Sequence, residues 1–190
     1  MITRDEAYEI VNKYVTNKNL INHMLSVEAG MGFYAEKFGE DVELWRAVGV
    51  LHEFDYEIHP DAERHPSEGA KILRELNIDE EIIQIILSHA DYTGVPRDSL
   101  IRKALHACDE VTGLITAVAL VRPSKSIHDV KVKSVKKKWK YLPFAAGANR
   151  DEMDKAFEEF GVEKWEHVQN MITAMQGVAA EIGLEGITAE

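Results

Sequence analysis

Apolar residues recur along this chain at spacings of three and four, the period of a helix with one buried face. Residues 4–15 place Ala7, Ile10, Val11 and Tyr14 in that register, which predicts an amphipathic helix. From about Asn19 to Phe38 a second stripe runs through Leu20, His23, Met24, Val27, Met31 and Tyr34. Asp41 then caps a third helix through Val42, Leu44, Trp45, Val48 and Leu51, with His52 near its end.

The pattern breaks at FDYEIHPDAERHP, a polar stretch with two prolines, which reads as a loop. Pro66, at a first helical position beside Ser67, opens a helix to about Leu76. Asp79 opens another, dense in isoleucine and ending near His89; the run Ile82, Ile83, Ile85, Ile86 also suits a buried strand, but its Asp-Glu-Glu start and helical neighbours favour a helix. Thr93-Gly94-Val95-Pro96 is a turn, followed by a long apolar helix from about Asp98 to Leu120. After Arg122-Pro123 come a basic helix, a loop at 143–148 and two further helices near 150–160 and 163–182. There is no internal repeat or low-complexity linker. The economical reading is one all-α domain over 1–190, its core at about 18–122, with the basic and C-terminal helices of 123–185 packed on that core.

A length of 190 residues with 45% hydrophobic and 29% charged residues suits one soluble globular core. The acidic N-terminus carries no signal-peptide pattern, and no stretch approaches the roughly 18 apolar residues that span a bilayer. The lone Cys108 cannot form an internal disulfide and reads as a small core residue, so a cytoplasmic location and no membrane association are expected. The net charge of −11 argues against a nucleic-acid polymer as partner. Yet residues 122–140 sum to +7, leaving −18 for the remainder. Such an island is either a solvated helix face or a binding surface for a small phosphorylated substrate. Arg122, Lys125, Lys133, Lys136 and Lys137 are its phosphate-binding candidates, and the flanking serines add hydroxyl donors. Oligomeric state is not encoded in these features; Trp139, Trp165 and Phe144 are expected in the core.

The candidate chemistry lies in scattered imidazoles and carboxylates: His23, the pair His52-Glu53, His65, His89 and Asp109. This donor set suits a divalent transition metal (Fe, Mn, Zn or Ni), as one or two ions, rather than a sulfur-rich structural zinc site. His23 alone reads equally as a core histidine with a satisfied hydrogen bond. The pair is more telling, although adjacent helical residues point about 100° apart. Asp109 lies mid-helix among Leu105, Cys108 and Leu114, where an unpaired carboxylate would cost several kcal/mol and a cation would remove the penalty. His106 shares the face of Asp109, which allows a supporting role. His59, His128 and His167 sit beside polar residues and are expected to face solvent.

In order along the chain, His23, His52-Glu53 and Asp109 resemble the HD-domain superfamily of metal-dependent phosphohydrolases. LHEFDYEIHP, HPSEGAKIL, SHADY and ALHACDEVTGLITAVALVRPSK resemble more closely an HDIG-type hydrolase subgroup of bacteria and archaea, a likeness covering roughly residues 20–175. The resemblance implies an all-α HD-domain helical bundle with metal held between helices. It implies a first metal site of His23, His52, Glu53 and Asp109, with His65 and His89 added for a second ion. One position departs: Glu53 stands where the family has aspartate, and its extra methylene moves the carboxylate by roughly 1.3–1.5 Å.

The function implied is a phosphohydrolase that uses metal-activated water on a small phosphate ester, such as a nucleotide. Asp55, two residues past the pair, is the candidate general base or water-orienting group, with a loop Asx turn as its structural alternative and Glu57 a weaker second. Two other readings stay open. Some binuclear HD proteins use the same positions as a non-haem di-iron oxygenase, and Glu53 leaves room for a non-catalytic metal- or nucleotide-binding protein.

Overall fold

A computed structural model describes residues 2–187, and among these the regular structure is entirely helical. Helix α1 (Arg4–Tyr14) starts at a reciprocal cap: Glu6 N–H donates to Thr3 Oγ1 at 3.2 Å, and Thr3 N–H donates to Glu6 Oε2 at 2.8 Å. Asn17 caps α2 (Lys18–Phe38), which ends where Gly39 adopts φ +73°. Asp41 caps α3 (Val42–Leu51) by accepting from Leu44 N–H. The remaining helices are α4 (Ser67–Glu75), α5 (Glu80–Leu87), α6 (Leu100–Leu120), α7 (Val132–Trp139), α8 (Arg150–Phe160) and α9 (Lys164–Gly177). The isoleucine run is helical.

The two 21-residue helices organise everything else. Helix α2 packs against α3, α6 and α9, while α6 also supports α7 and α8. Met31 of α2, Leu51 of α3, Leu114 of α6, Phe157 of α8 and Met171 of α9 are buried in one continuous apolar cluster, so the C-terminal helices share the core of the N-terminal ones. The contact of α2 with α3 is close because Gly49 has no side chain. A Cβ there would stand 2.8 Å from the Glu28 backbone. Glu28, itself buried, ties three helices: Arg4 Nε donates to it at 2.9 Å and Arg46 Nη2 at 2.6 Å. That seam brings the end of α3 against the middle of α2, and so His52 against His23.

Several expectations change. Pro66 is the residue before α4, not its first helical residue. The segment after Pro123 is not yet helical: Ile127–Asp129 form a 3-10 turn, and α7 starts at Val132. Ile127 and Val130 are buried three apart, and Ile127 N–H donates to Leu184 O at 2.9 Å, which holds the turn to the C-terminal segment. Helix α9 ends at Gly177 instead of 182, because glycine is a poor helix residue and Ala179, Ile182 and Leu184 turn back into the core. His167, expected in solvent, is fully buried, where Tyr34 and Ala107 satisfy both ring nitrogens. His128 is exposed and His59 half-buried. Cys108 and Trp139 lie in the core, while Trp165 and Phe144 pack at its edge.

Candidate metal centre

Four helices and one loop converge at the buried end of α3. His23 comes from α2, His52 and Glu53 from the end of α3, His65 from the loop before α4, His89 from just beyond α5 and Asp109 from the middle of α6. Their donor atoms form two groups: His23, His52 and Asp109 in one, Glu53, His65 and His89 in the other. His23 Nε2 lies 3.0 Å from Asp109 Oδ1, and His52 Nε2 lies 3.5 Å from the same oxygen. Glu53 Oε1 is 3.4 Å from His65 Nε2 and 3.5 Å from His89 Nε2, and those two nitrogens are 3.2 Å apart. The groups adjoin, with the His52 and His89 rings 5.4 Å apart at their centroids.

The resemblance alone joins Glu53 to the first group; the structure sets its carboxylate on His65 and His89. Successive side chains at the end of α3 diverge, so His52 and Glu53 serve different triads, and the longer glutamate spans the added distance.

Each imidazole is held from behind by its other nitrogen. His52 Nδ1–H donates to Gly49 O at 2.8 Å and His89 Nδ1–H to Ile86 O at 2.5 Å. His65 Nδ1–H donates to Asp55 Oδ1 at 2.9 Å. Thr112 gives its own hydroxyl proton to Asp109 O at 2.7 Å and so accepts from His23 Nδ1–H at 3.1 Å. With all four Nδ1 atoms tied back, the four Nε2 atoms turn inward. His52 Nε2 is buried with no hydrogen-bond partner. That nitrogen is unfavourable without a cation beside it, and the other three inward Nε2 atoms meet their neighbours well only with a proton or a metal ion between them. Atoms sharing an ion at about 2.0–2.2 Å stand about 2.9–3.6 Å apart in tetrahedral or octahedral geometry. All five distances fall in that range, so the residues fit a divalent metal in each triad.

The electrostatics agree. Burial lowers the pKa of His65, but Asp55 and Glu53 outweigh it and raise it to about 9. Burial likewise lowers His23 and His89, and Asp109 and Glu53 respectively reverse it to a net rise. Burial would raise both carboxylates, yet the facing histidines hold Glu53 and Asp109 below the usual carboxylate range. The centre thus favours positive charge between its histidines and ionised carboxylates.

Asp55 is buried with both oxygens engaged, one on His65 and the other accepting Gly69 N–H at 3.0 Å. A Cβ on Gly69 would meet Asp55 Cγ at 2.5 Å, so this glycine is what lets the carboxylate sit there. Glu57 accepts from Thr16 and Asn17 N–H at the start of α2, and His106 faces Glu159 Oε2 at 3.8 Å instead of Asp109. Thr112 was not among the sequence candidates. It lies one turn from Asp109, but nothing in a threonine marks it as the brace of a histidine.

The basic residues stand elsewhere. Arg122 lies beyond the last turn of α6, about 18–20 Å along the helix axis from Asp109. It and Lys137 line a cavity there, while Lys125, Lys133 and Lys136 are exposed outside that lining. Beside the metal centre the lining is neutral. A cavity of about 470 Å³ next to His23 is walled by Asn19, Asn22, Ser26 and Thr116, with Leu120 and Ile182 as apolar surface.

The HD domain family model matches residues 20–114, half of the chain and every proposed ligand. Ribonuclease Y of Lawsonia intracellularis is 27% identical over 84 residues, 44% of this chain and 16% of that protein. Ribonuclease Y of Thermotoga petrophila and of Thermotoga maritima are each 32% identical over 80 residues, 40% of this chain. The chain matches 16% of the length of each of these relatives. No solved structure matches.

Proposed function

This chain belongs to the HD-domain family, and on that premise we propose that it hydrolyses a small phosphate ester at a two-ion centre. The observation that carries the reading is the convergence of four inward Nε2 atoms and two carboxylates, every measured spacing within reach of a shared ion. Divalent ions held there would make the centre net positive, polarise a phosphoryl oxygen and render a coordinated water acidic near neutral pH.

The chain's own residues do the positioning. Asp55, Gly49 O, Ile86 O and Thr112 fix the four rings, so the donors need little reorganisation. We read Asp55 as a positioning residue behind His65 in place of a general base, since it has no free oxygen to offer water. The amide- and hydroxyl-walled cavity beside His23 suits the uncharged, hydrogen-bonding part of a substrate such as a nucleoside. Ribonuclease Y is named for RNA cleavage. For this chain a charge of −11 favours a small ester over a polymer.

One observation supports a second reading. Each triad is two histidines and one carboxylate, the set that also holds non-haem iron in oxygenases. The two are separated by assaying protein of known metal content on phosphomonoesters and phosphodiesters, with and without O₂. Hydrolysis predicts release of phosphate from monoesters, or of a monoester and an alcohol from diesters, that needs no O₂, is abolished by EDTA and falls at least a hundredfold in His52→Ala. Substrate-dependent O₂ uptake with two irons per chain would favour the oxygenase. Inertness on every ester despite full occupancy would leave a binding protein and defeat the proposal.

A further inference from the structure

The cavity at the far end of α6 has a composition unlike the rest of the surface. It measures about 670 Å³ and is lined by Arg122, Lys137, Lys138, Ser124 and Ser134. Val118, Val121 and Pro123 supply an apolar wall, and Asp129 is the acidic residue in the lining.

Pairing distinguishes this cavity from a solvated lysine face. The chain has 33 acidic and 22 basic residues, and its arginines find carboxylates readily. Arg4, Arg46, Arg64, Arg74, Arg97 and Arg102 all do. Arg150 donates instead to the carbonyls of Phe144, Ala145 and Ala148. Arg122 is the exception: among the described residues its side chain contacts only the Ser134 hydroxyl, 3.3 Å from Nη1. Lys137, like most lysines here, forms no ion pair among them, although Asp129 shares the cavity. Half-buried Arg122 is thus held in place by a neutral partner with most of its donors unspent.

We propose that this cavity is a ligand site separate from the metal centre, which binds a small phosphate-bearing molecule. The Arg122 fork and the Lys137 ammonium match phosphate oxygens, the serines can donate to the remaining ones, and the Val118–Val121 wall accepts an uncharged remainder. Asp129 opposes further negative charge and so limits the ligand to one or two phosphates. The site does not depend on the hydrolytic reading of the metal centre.

Inorganic pyrophosphate is the probe, titrated calorimetrically into the whole chain in EDTA and into the His52→Ala variant, so that bound metal contributes nothing. Saturable one-to-one binding is expected in both. It should weaken at least tenfold in Arg122→Gln/Lys137→Gln, less than twofold in Lys133→Gln/Lys136→Gln, and tighten in Asp129→Asn. Should the first double variant fail to fold, Lys137→Gln alone carries the test, because this exposed side chain makes no hydrogen bond. Equal weakening by both double variants would reduce the effect to diffuse charge and overturn the proposal. So would loss of binding in His52→Ala, or absence of binding at millimolar pyrophosphate. A single-stranded RNA oligomer that binds through Arg122 and Lys137 where pyrophosphate does not would overturn it in favour of a polymer.

Discussion

His65 and His89 point their Nε2 atoms at each other across 3.2 Å, each ring tied from behind through Nδ1. Two lone pairs at that distance repel, and a second carboxylate-bound histidine pair, His23 and His52, lies alongside. The cluster therefore favours a cation at its centre, a place that a proton on His65 fills when no ion is bound, its pKa being raised to about 9.

Because the ligands divide into two triads, metal content should fall in steps. Protein saturated with Mn²⁺ or Fe²⁺ should carry two ions per chain by elemental analysis. His52→Ala should lose principally the ion of the Asp109 triad, and His89→Ala that of the Glu53 triad, leaving about one each. Ions that bind only the folded chain also stabilise it, by about 2.7 kcal/mol each at a hundred times the dissociation constant. EDTA should lower the melting temperature accordingly. A wild-type stoichiometry unchanged in both variants would remove the two-triad centre.

Glu53 reaches its partners by its length. Oε1 is 3.4–3.5 Å from both histidine nitrogens of its triad. Shortening it in Glu53→Asp retracts the carboxylate by roughly 1.5 Å, beyond what one ion can bridge without backbone movement. The second ion should bind about tenfold more weakly while the first is unaffected, as read from a metal titration. Equal or tighter binding of both ions in Glu53→Asp would mean that the shorter side chain finds a shared position between them.

Asp55 acts on the metal centre through His65, with Gly69 making room for it. Asp55→Asn keeps the size of the side chain but removes the charge behind the ring; such partners typically contribute 10–100-fold in metal affinity. Gly69→Ala should produce a related loss by pushing Asp55 off His65, since its Cβ would overlap Asp55 Cγ. Both should weaken the Glu53 triad and spare the Asp109 triad. Unchanged affinity of both triads in the two variants would make Asp55 a fold residue with no bearing on the metal.

Helices α1 to α3 and α6 were legible because their apolar stripes are long, and Asp41 marks the start of α3 by capping a backbone N–H three residues on. The clustered residues stood out in the sequence because histidines and a carboxylate on apolar faces violate the pattern around them. Their division was not, because it depends on how far apart His52 and Glu53 point and on where α5 and α6 sit. His167 was misjudged for the same reason. Its neighbours Glu166 and Gln169 are polar, but the ring lies on the face of α9 that meets Tyr34 of α2 and Ala107 of α6. The basic stretch suggested phosphate binding, but sequence could not place it some 18 Å from Asp109.

His167 makes the stability of the fold pH-dependent. Tyr34 Oη–H donates to its Nδ1 at 2.6 Å and its Nε2–H donates to Ala107 O at 2.9 Å, so the neutral ring satisfies both partners. Burial pushes its pKa down to about 4, against roughly 6.5 in the unfolded chain. Between those values the unfolded chain holds a proton that the folded chain does not. The stabilisation is thus fully present above about pH 6.5 and is lost as pH falls toward 4. From pH 7 to pH 5 the loss amounts to about 2 kcal/mol. His167→Phe should be less stable at pH 7 by about 1–3 kcal/mol, because Tyr34 and Ala107 each lose a buried partner. It should lose correspondingly less on going to pH 5. Urea unfolding of both proteins at the two pH values, in EDTA, measures the difference, and the metal-site histidines cancel because both proteins carry them. Parallel loss of stability in wild type and His167→Phe would show that this buried ring does not set the acid limit of the fold.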